Sequence, residues 1–210
     1  SYNQKNFLNT DLIQFIPEPN DSIGTVNRKK NQEYNFYIED QYTFRKILEL
    51  TAGFRSAVFT YDHINQGSIF PRIAIQSKAW NNVVIGGAWD QQIQSLHLLN
   101  SNSIGLPTDL WVPSTQQFKP QHMGSFTLFM NLNVLKHQWR FEAYDKSLKG
   151  LIHIKEGASF DLGSLNTWQD QVVLGKGHSK GFEASVEGKM ETLKYRLNYT
   201  RSHSTRHFAE

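Results

Sequence analysis

The chain has no cysteine. Disulfides, thiolate metal sites and cysteine nucleophiles are excluded, while the compartment stays open. Nor is there an apolar run approaching the roughly 18 residues of a transmembrane helix. The opening SYNQKNFLNT also lacks the form of a signal peptide. Neither absence argues for a water-soluble protein, because membrane β-barrels are nearly invisible to hydropathy. Charge of one sign is scarce too: the net charge is +3 over 210 residues, and the charges are interspersed. Arg28-Lys29-Lys30 and Arg45-Lys46 are the nearest things to basic clusters, so no nucleic-acid partner is expected.

Catalytic signatures are missing as well. No G-x-S-x-G, H-E-x-x-H or phosphate-loop pattern occurs, and Gly175-Lys176-Gly177 lacks the strand-to-helix context of a phosphate loop. His203 and His207 have the spacing of two metal ligands on a helix, but they fall where strand runs into loop, with no acidic third ligand close by. Asp161 and Asp170 flank Trp168, and paired carboxylates can do acid–base work, but no pocket accompanies them. No catalytic residue, metal site or cofactor is expected, and the chain is not read as an enzyme.

What the chain does have is aromatics, at 13%, and a period of two. Tyr34, Phe36 and Ile38 share one phase, and Leu48, Leu50, Ala52 and Phe54 continue it after Arg45-Lys46. Similar segments follow at about 70–77, 83–94, 123–132, 138–148, 175–188 and 192–202. That makes about eight strands with one apolar face. Glu39, Glu49, Arg55, Arg140, Glu142, Lys146, Glu183, Glu187, Lys194 and Arg196 all take the polar phase. Asp40, Asp90 and Asp145 break the pattern, each one step past Ile38, Ala88 and Ala143.

The connections alternate strictly between short and long. Tight links lie near 44–47, 78–82, 133–137 and 189–191, and long ones span about 61–69, 94–122 and 149–174. In an up-and-down antiparallel sheet this puts every tight turn at one end and every long loop at the other. A transmembrane β-barrel has that layout, with short periplasmic turns and long extracellular loops. Strands of about 9–14 residues also suit a tilted bilayer crossing. A soluble all-β ligand- or carbohydrate-binding module is the alternative, though its strands run shorter and its loop lengths need not segregate. Residues 1–32 read as loop, 33–202 as strands and loops, and 203–210 as the start of another loop. SIGLPTDLWVPSTQQFKPQ, 103–121, combines three prolines with Ile104, Leu106, Leu110, Trp111, Val112 and Phe118, and reads as a long apolar surface loop.

Several blocks resemble a known family. FKPQHMGSFTL resembles the segment that opens a late barrel strand in TonB-dependent outer-membrane receptors, and HLLNSNSIGLPTDLWVPST resembles the preceding extracellular loop in one subgroup. FEAYDKSLKGLIHIKEGASF, WQDQVVLGKGHSKGFEASVE and LNYTRSHSTRHF are similar to later blocks of that subgroup, in the same order. The resemblance implies part of a barrel domain, its later half, with no plug domain. It implies import of a scarce nutrient (a metal chelate, vitamin or glycan) across the outer membrane of a Gram-negative bacterium. The implied partners are that ligand, outer-membrane lipid, a plug domain and the TonB energy-coupling complex outside this segment, and a surface lipoprotein. Arg55, Arg140, Glu142, Tyr144 and Arg196 would face the lumen. Asp109, Trp111, Trp168 and Asp170 combine aromatic faces with carboxylates in the long loops and are the candidate ligand contacts.

Overall fold

Strict alternation yields a sheet with two chemically different faces, and the computed structural model forms that sheet. It describes residues 2–14, 30–61, 64–100, 109–158 and 168–209. The strands are β1 (Tyr2–Gln14), β2 (Lys30–Phe44), β3 (Leu48–Tyr61), β4 (Ile64–Trp80), β5 (Val83–Gln94), β6 (Leu96–Asn100), β7 (Asp109–Pro113), β8 (Gln121–Val134), β9 (His137–Ile154), β10 (Val172–Met190) and β11 (Leu193–Phe208). Nine of them form one antiparallel sheet in the order β1-β2-β3-β4-β5-β8-β9-β10-β11, while β6 and β7 pair as a separate hairpin. All eight expected strands are present. β1 and β11 stand at the two edges, and no ladder joins them among the described residues.

The register carries the apolar phase across the sheet without a slip through its middle. Phe54 lies opposite Ile38 and Pro71, Ile73 opposite Ala52 and Trp89, and Trp89 opposite Phe126. Further along, Leu128 meets Ala143, Ala143 meets Phe182, and Ala184 meets Tyr199. This face is exposed: Ile69 is 68% accessible and Leu197 65%. The opposite face carries most of the charged residues and is less accessible, as on the inside of a curved sheet. A water-soluble domain buries its apolar face. This sheet is built the other way round.

Three boundaries differ from the sequence reading. The connection expected to be long across 61–69 is short, because β4 begins at Ile64, paired opposite Tyr61. Residues 1–32 are not all loop, because β1 pairs with β2 from Tyr2 opposite Tyr42 to Gln14 opposite Lys30. Tyr2, Phe7, Leu8, Leu12 and Ile13 fall on both phases, so β1 has no clean period, and its pairing with β2 makes it a strand. Residues 203–210 do not open a loop either: β11 runs to Phe208, opposite Gly175. In Ser202–Arg206 both phases are polar, so alternation disappears while the ladder continues. The phase of Asp90 also changes. It lies opposite Arg72 and Ser125 on the polar face with Ala88, because the apolar phase of β5 is Ile85, Gly87 and Trp89. Asp145 is on the apolar face and binds His178 through Oδ1 to Nε2 at 2.9 Å. Asp40 is exposed on that face opposite Ala52, and nothing in the structure explains it.

The tight connections are where expected, at 45–47, 81–82, 135–136 and 191–192. Their backbones are unusual for their sequences. Leu135 (φ 52°) and Lys136 (φ 67°) are both left-handed between Val134 and His137, and Arg45 (φ 47°) and Lys46 (φ 58°) repeat the pattern. Two left-handed residues match the twist of the flanking strands, a position that favours Asn-Gly and costs other residues about 1–2 kcal/mol each. Glycine does appear where close approach demands it. A Cβ at Gly86 would lie 2.6 Å from the Ile75 carbonyl oxygen and 2.5 Å from the Phe129 ring. Replacing Leu135-Lys136 with Asn-Gly is expected to stabilise the folded barrel by about 1 kcal/mol, read as a higher urea midpoint in lipid vesicles. An unchanged or lower midpoint would show that the turn carries no strain.

Candidate functional site

The long connection 94–122 folds back on the sheet as a small cap. β6 and β7 form its hairpin, with His97 opposite Val112, Leu98 opposite Trp111 and Leu99 opposite Leu110. Alternation again separates two faces. His97, Leu99 and Val112 are buried, whereas Leu98 (40%) and Trp111 (43%) lie side by side in solvent. Past Pro113 the chain runs through Ser114–Pro120, and the Phe118 amide donates to Thr115 Oγ1 at 3.1 Å. Leu99, Val112, Phe118, Trp168 and Val172 form one apolar cluster, with Ile152 and Ile154 packed against it. The Phe118 and Trp168 rings lie 5.3 Å apart at 44°. The apolar residues of the 103–121 stretch that are described here are therefore divided between a core (Val112, Phe118) and an exposed plate (Trp111).

Polar bonds tie the cap to the wall. Ser95 Oγ donates to Glu33 Oε2 at 2.5 Å, and Glu33 Oε1 accepts from Asn35 Nδ2 at 2.8 Å. Asn35 Oδ1 in turn accepts from Arg55 through Nε at 3.0 Å and Nη2 at 2.6 Å. Gln66 Nε2 donates to the Thr115 carbonyl at 3.4 Å. Residues from β2, β3 and β4 thus hold one side of the cap, and Ile152, Ile154 and Val172 hold the other.

His97 sits at the centre of the hairpin and is fully buried. Ser114 Oγ donates to the Ser95 carbonyl at 2.7 Å, leaving its lone pairs to accept from His97 Nε2 at 3.1 Å. The Gln121 amide lies 3.0 Å from Nδ1 and donates to it. This arrangement holds the neutral Nε2–H tautomer. Burial lowers the His97 pKa to about 4, and the Lys119 carbonyl only partly opposes that shift.

Of the four candidate ligand residues, Trp111 is exposed on the hairpin plate. Trp168 is 5% exposed in the cap core. Asp170 is exposed on the short 3₁₀ turn 168–171, with its carbonyl accepting from Lys155 Nζ at 2.6 Å. Asp109 is paired opposite Asn100 at the start of β7, and Asp161 lies outside the described residues. Arg55, Arg140, Glu142, Tyr144 and Arg196 all fall on the polar face. There Arg140 pairs with Glu142 at 2.9 Å, Arg196 with Glu187 at 2.7 Å, and Lys146 lies over the Tyr144 ring at 4.5 Å. His97, Ser114 and the hairpin itself were not singled out from sequence. Their only signal is the pair of short apolar runs, HLL and LWV, around a polar tip.

Comparison with known proteins places the whole arrangement. The family model described as TonB-dependent receptor-like β-barrel matches residues 1–208. Among solved structures, the FrpB iron transporter from Neisseria meningitidis superposes with a TM-score of 0.61 at 13% identity. An apoprotein form of another FrpB variant gives 0.62 at 13%. The alcaligin outer-membrane receptor FauA from Bordetella pertussis gives 0.56 at 11%. Each match covers 87% of this chain, but only 27% of the FrpB chains and 31% of FauA. No curated protein matches this chain by sequence.

Two measurements test the cap. Trp168→Ala removes a ring from a packed cluster and is expected to destabilise the cap by about 3–5 kcal/mol, while the wall strands stay folded. Hydrogen exchange should show lost protection over 96–113 and unchanged protection over 139–148. The His97 shift makes a second test. Its folded pKa, about 4, lies below the ordinary 6.5, so an opened cap binds a proton that the closed one does not. Cap stability is therefore full above pH 6.5 and falls as the pH drops toward 4, by at most about 3 kcal/mol. His97→Gln should flatten that dependence in the same exchange measurement, and an equally steep fall in the variant would assign it elsewhere.

Proposed function

The chain belongs to the TonB-dependent receptor β-barrel family, and we propose that it supplies barrel wall and extracellular ligand-capturing loops to a receptor importing a scarce nutrient. Members of this family are outer-membrane transport receptors of Gram-negative bacteria rather than enzymes. The observation that carries the reading is the inverted sheet: its apolar phase is exposed, its polar phase lies on the less accessible face, and every long loop is at one end. In a bilayer the apolar phase meets lipid, and Arg55, Arg140, Glu142, Tyr144 and Arg196 line a watered lumen against a plug domain. Energy coupling passes through the plug and the TonB complex, so this segment contributes capture and containment rather than drive. A surface lipoprotein resting on the long loops is a further partner in this proposal.

Within the cap, Trp111 and Leu98 offer an apolar plate, Asp170 adds a carboxylate at the same end of the sheet, and Asp109 is the first residue of the strand that carries Trp111. Such a surface suits a polar ligand with a flat or apolar side, whether a metal chelate, a vitamin or a glycan. Trp168 serves this surface from behind, by holding Phe118 and Val172 in place. The structural neighbours named for iron or alcaligin share only the fold with this chain at 11–13% identity, so the ligand class rests on the cap alone.

The test is made on the complete receptor. Folded into lipid it should migrate differently before and after heating, and Trp111→Ala should weaken nutrient capture at least tenfold without abolishing that heat-modifiability. A water-soluble monomer with cooperative unfolding would overturn the barrel reading. Undiminished capture by the variant would overturn the role of Trp111.

A further inference from the structure

Arginines on the polar face mostly come with acids. Arg72 pairs with Glu39 at 3.4 Å, Arg140 with Glu142 at 2.9 Å and Arg196 with Glu187 at 2.7 Å. Arg55 differs. Among the described residues its guanidinium bonds only to Asn35, a neutral amide, and no carboxylate forms an ion pair with it.

The register explains the difference. Arg55 lies opposite Tyr37, so its diagonal neighbours on the same face of β2 are Asn35 and Glu39. Glu39 is taken. Gly53 lies opposite both Glu39 and Arg72, and with no side chain between them those two pair across β3. Glu33 is taken as well, with Ser95 Oγ on one oxygen and Asn35 Nδ2 on the other. That second bond fixes the Asn35 amide and turns its Oδ1 toward Arg55.

Asn35 occupies only one edge of the guanidinium. Nε at 3.0 Å and Nη2 at 2.6 Å share its Oδ1, which leaves the end of the fork, one hydrogen on each Nη, without a partner among the described residues. Asn35 is buried behind it, whereas Arg55 itself is exposed. Two parallel N–H groups on a side chain already held in place suit the two oxygens of a carboxylate. Ala57 and Phe59, the next residues on this face of β3, are buried, and Phe59 lies opposite Glu33, where the cap is tied down. Arg55 is therefore the first exposed residue of this face of β3 below the base of the cap.

We propose that Arg55 is an inner ligand subsite that takes a carboxylate of the nutrient through the free end of its fork, after capture at the cap. This rests on the ligand-capture reading above. Glu33, Glu39 and Asp90 outnumber Arg72 on the surrounding face, so a singly charged carboxylate suits the site better than a phosphate dianion. Its place immediately below the cap favours an arriving nutrient over a plug side chain as the occupant.

The complete receptor in lipid nanodiscs tests this, with benzoate as the probe, neutral benzamide as its match in shape, and ligand-observed NMR as the readout. Benzoate should bind and benzamide should not. Arg55→Gln should weaken benzoate binding at least tenfold, the loss of one charge-assisted pair. Arg196→Gln also removes a cation from the polar face, and it should bind as the unmodified receptor does. Arg55→Lys keeps the charge without the fork and should bind more weakly than the unmodified receptor; it carries the comparison if Arg55→Gln does not fold. Failure of benzoate to bind, as when a plug carboxylate already fills the fork, would overturn the proposal. So would equal binding of benzamide, undiminished binding by either Arg55 variant, or tighter binding of phenyl phosphate. A receptor that shows the heat shift but fails these arms sinks the subsite alone, whereas one without the heat shift sinks the receptor reading with it.

Discussion

Everything in this molecule follows from pairing the backbone sideways. In hydrocarbon, each unpaired N–H or C=O costs several kilocalories per mole, so a strand crosses only when neighbours on both sides take its hydrogen bonds. Among the described strands, β2 through β5 and β8 through β10 have a paired neighbour on both sides. Once the backbone is satisfied laterally, each strand needs only to alternate, and alternation is what lets one face meet lipid while the other meets water. The tight turns follow from the same demand. Leu135 and Lys136 take left-handed conformations because a two-residue link keeps Val134 and His137 paired to the end of the ladder. The pairing outweighs the local conformational cost.

Above the band this logic changes. There both faces are wet, and tertiary contacts decide the structure. The cap is held by a small core in which each buried apolar side chain contributes about 1.5–3 kcal/mol, and by charge-assisted bonds that run from Arg55 through Asn35 and Glu33 to Ser95. Burying His97 there is tolerable because both ring nitrogens are partnered in the neutral form, by Ser114 and Gln121. A charged imidazole would have to break one of those bonds or force Gln121 to turn over. The cap is thus designed around a proton-free histidine, a feature invisible in the linear order of residues.

Legibility in the sequence tracks the same division. Where one face is apolar and the other polar, as in Trp139, Phe141 and Ala143 against Arg140 and Glu142, strand, phase and turn positions can be read directly. Legibility fails where the two faces are alike. Ser202–Arg206 is polar on both, so the strand seems to stop although its ladder runs to Phe208. β1 mixes apolar residues on both phases, so only its pairing with β2 reveals it. Asp90 was assigned to the wrong face because Ala88 is small enough to suit either. The candidate site divides likewise. That Trp111 and Trp168 lie in long connections at one end of the sheet is legible from the alternation of short and long links, but which is exposed depends on β6–β7 pairing across a connection that alternation does not describe.

That last separation bears on how such a receptor can capture a ligand without losing its shape. An exposed aromatic plate is useful only if its position is fixed, since ordering it on binding would consume the affinity it provides. Trp111 shares a strand with Val112, whose side chain points the other way into the cluster formed with Phe118 and Trp168. The one-residue alternation that faces the wall toward lipid also fastens the plate: each residue that looks outward is flanked by one anchored inward. On the proposed function, capture surface and scaffold are adjacent residues of the same five-residue strand, Asp109–Pro113.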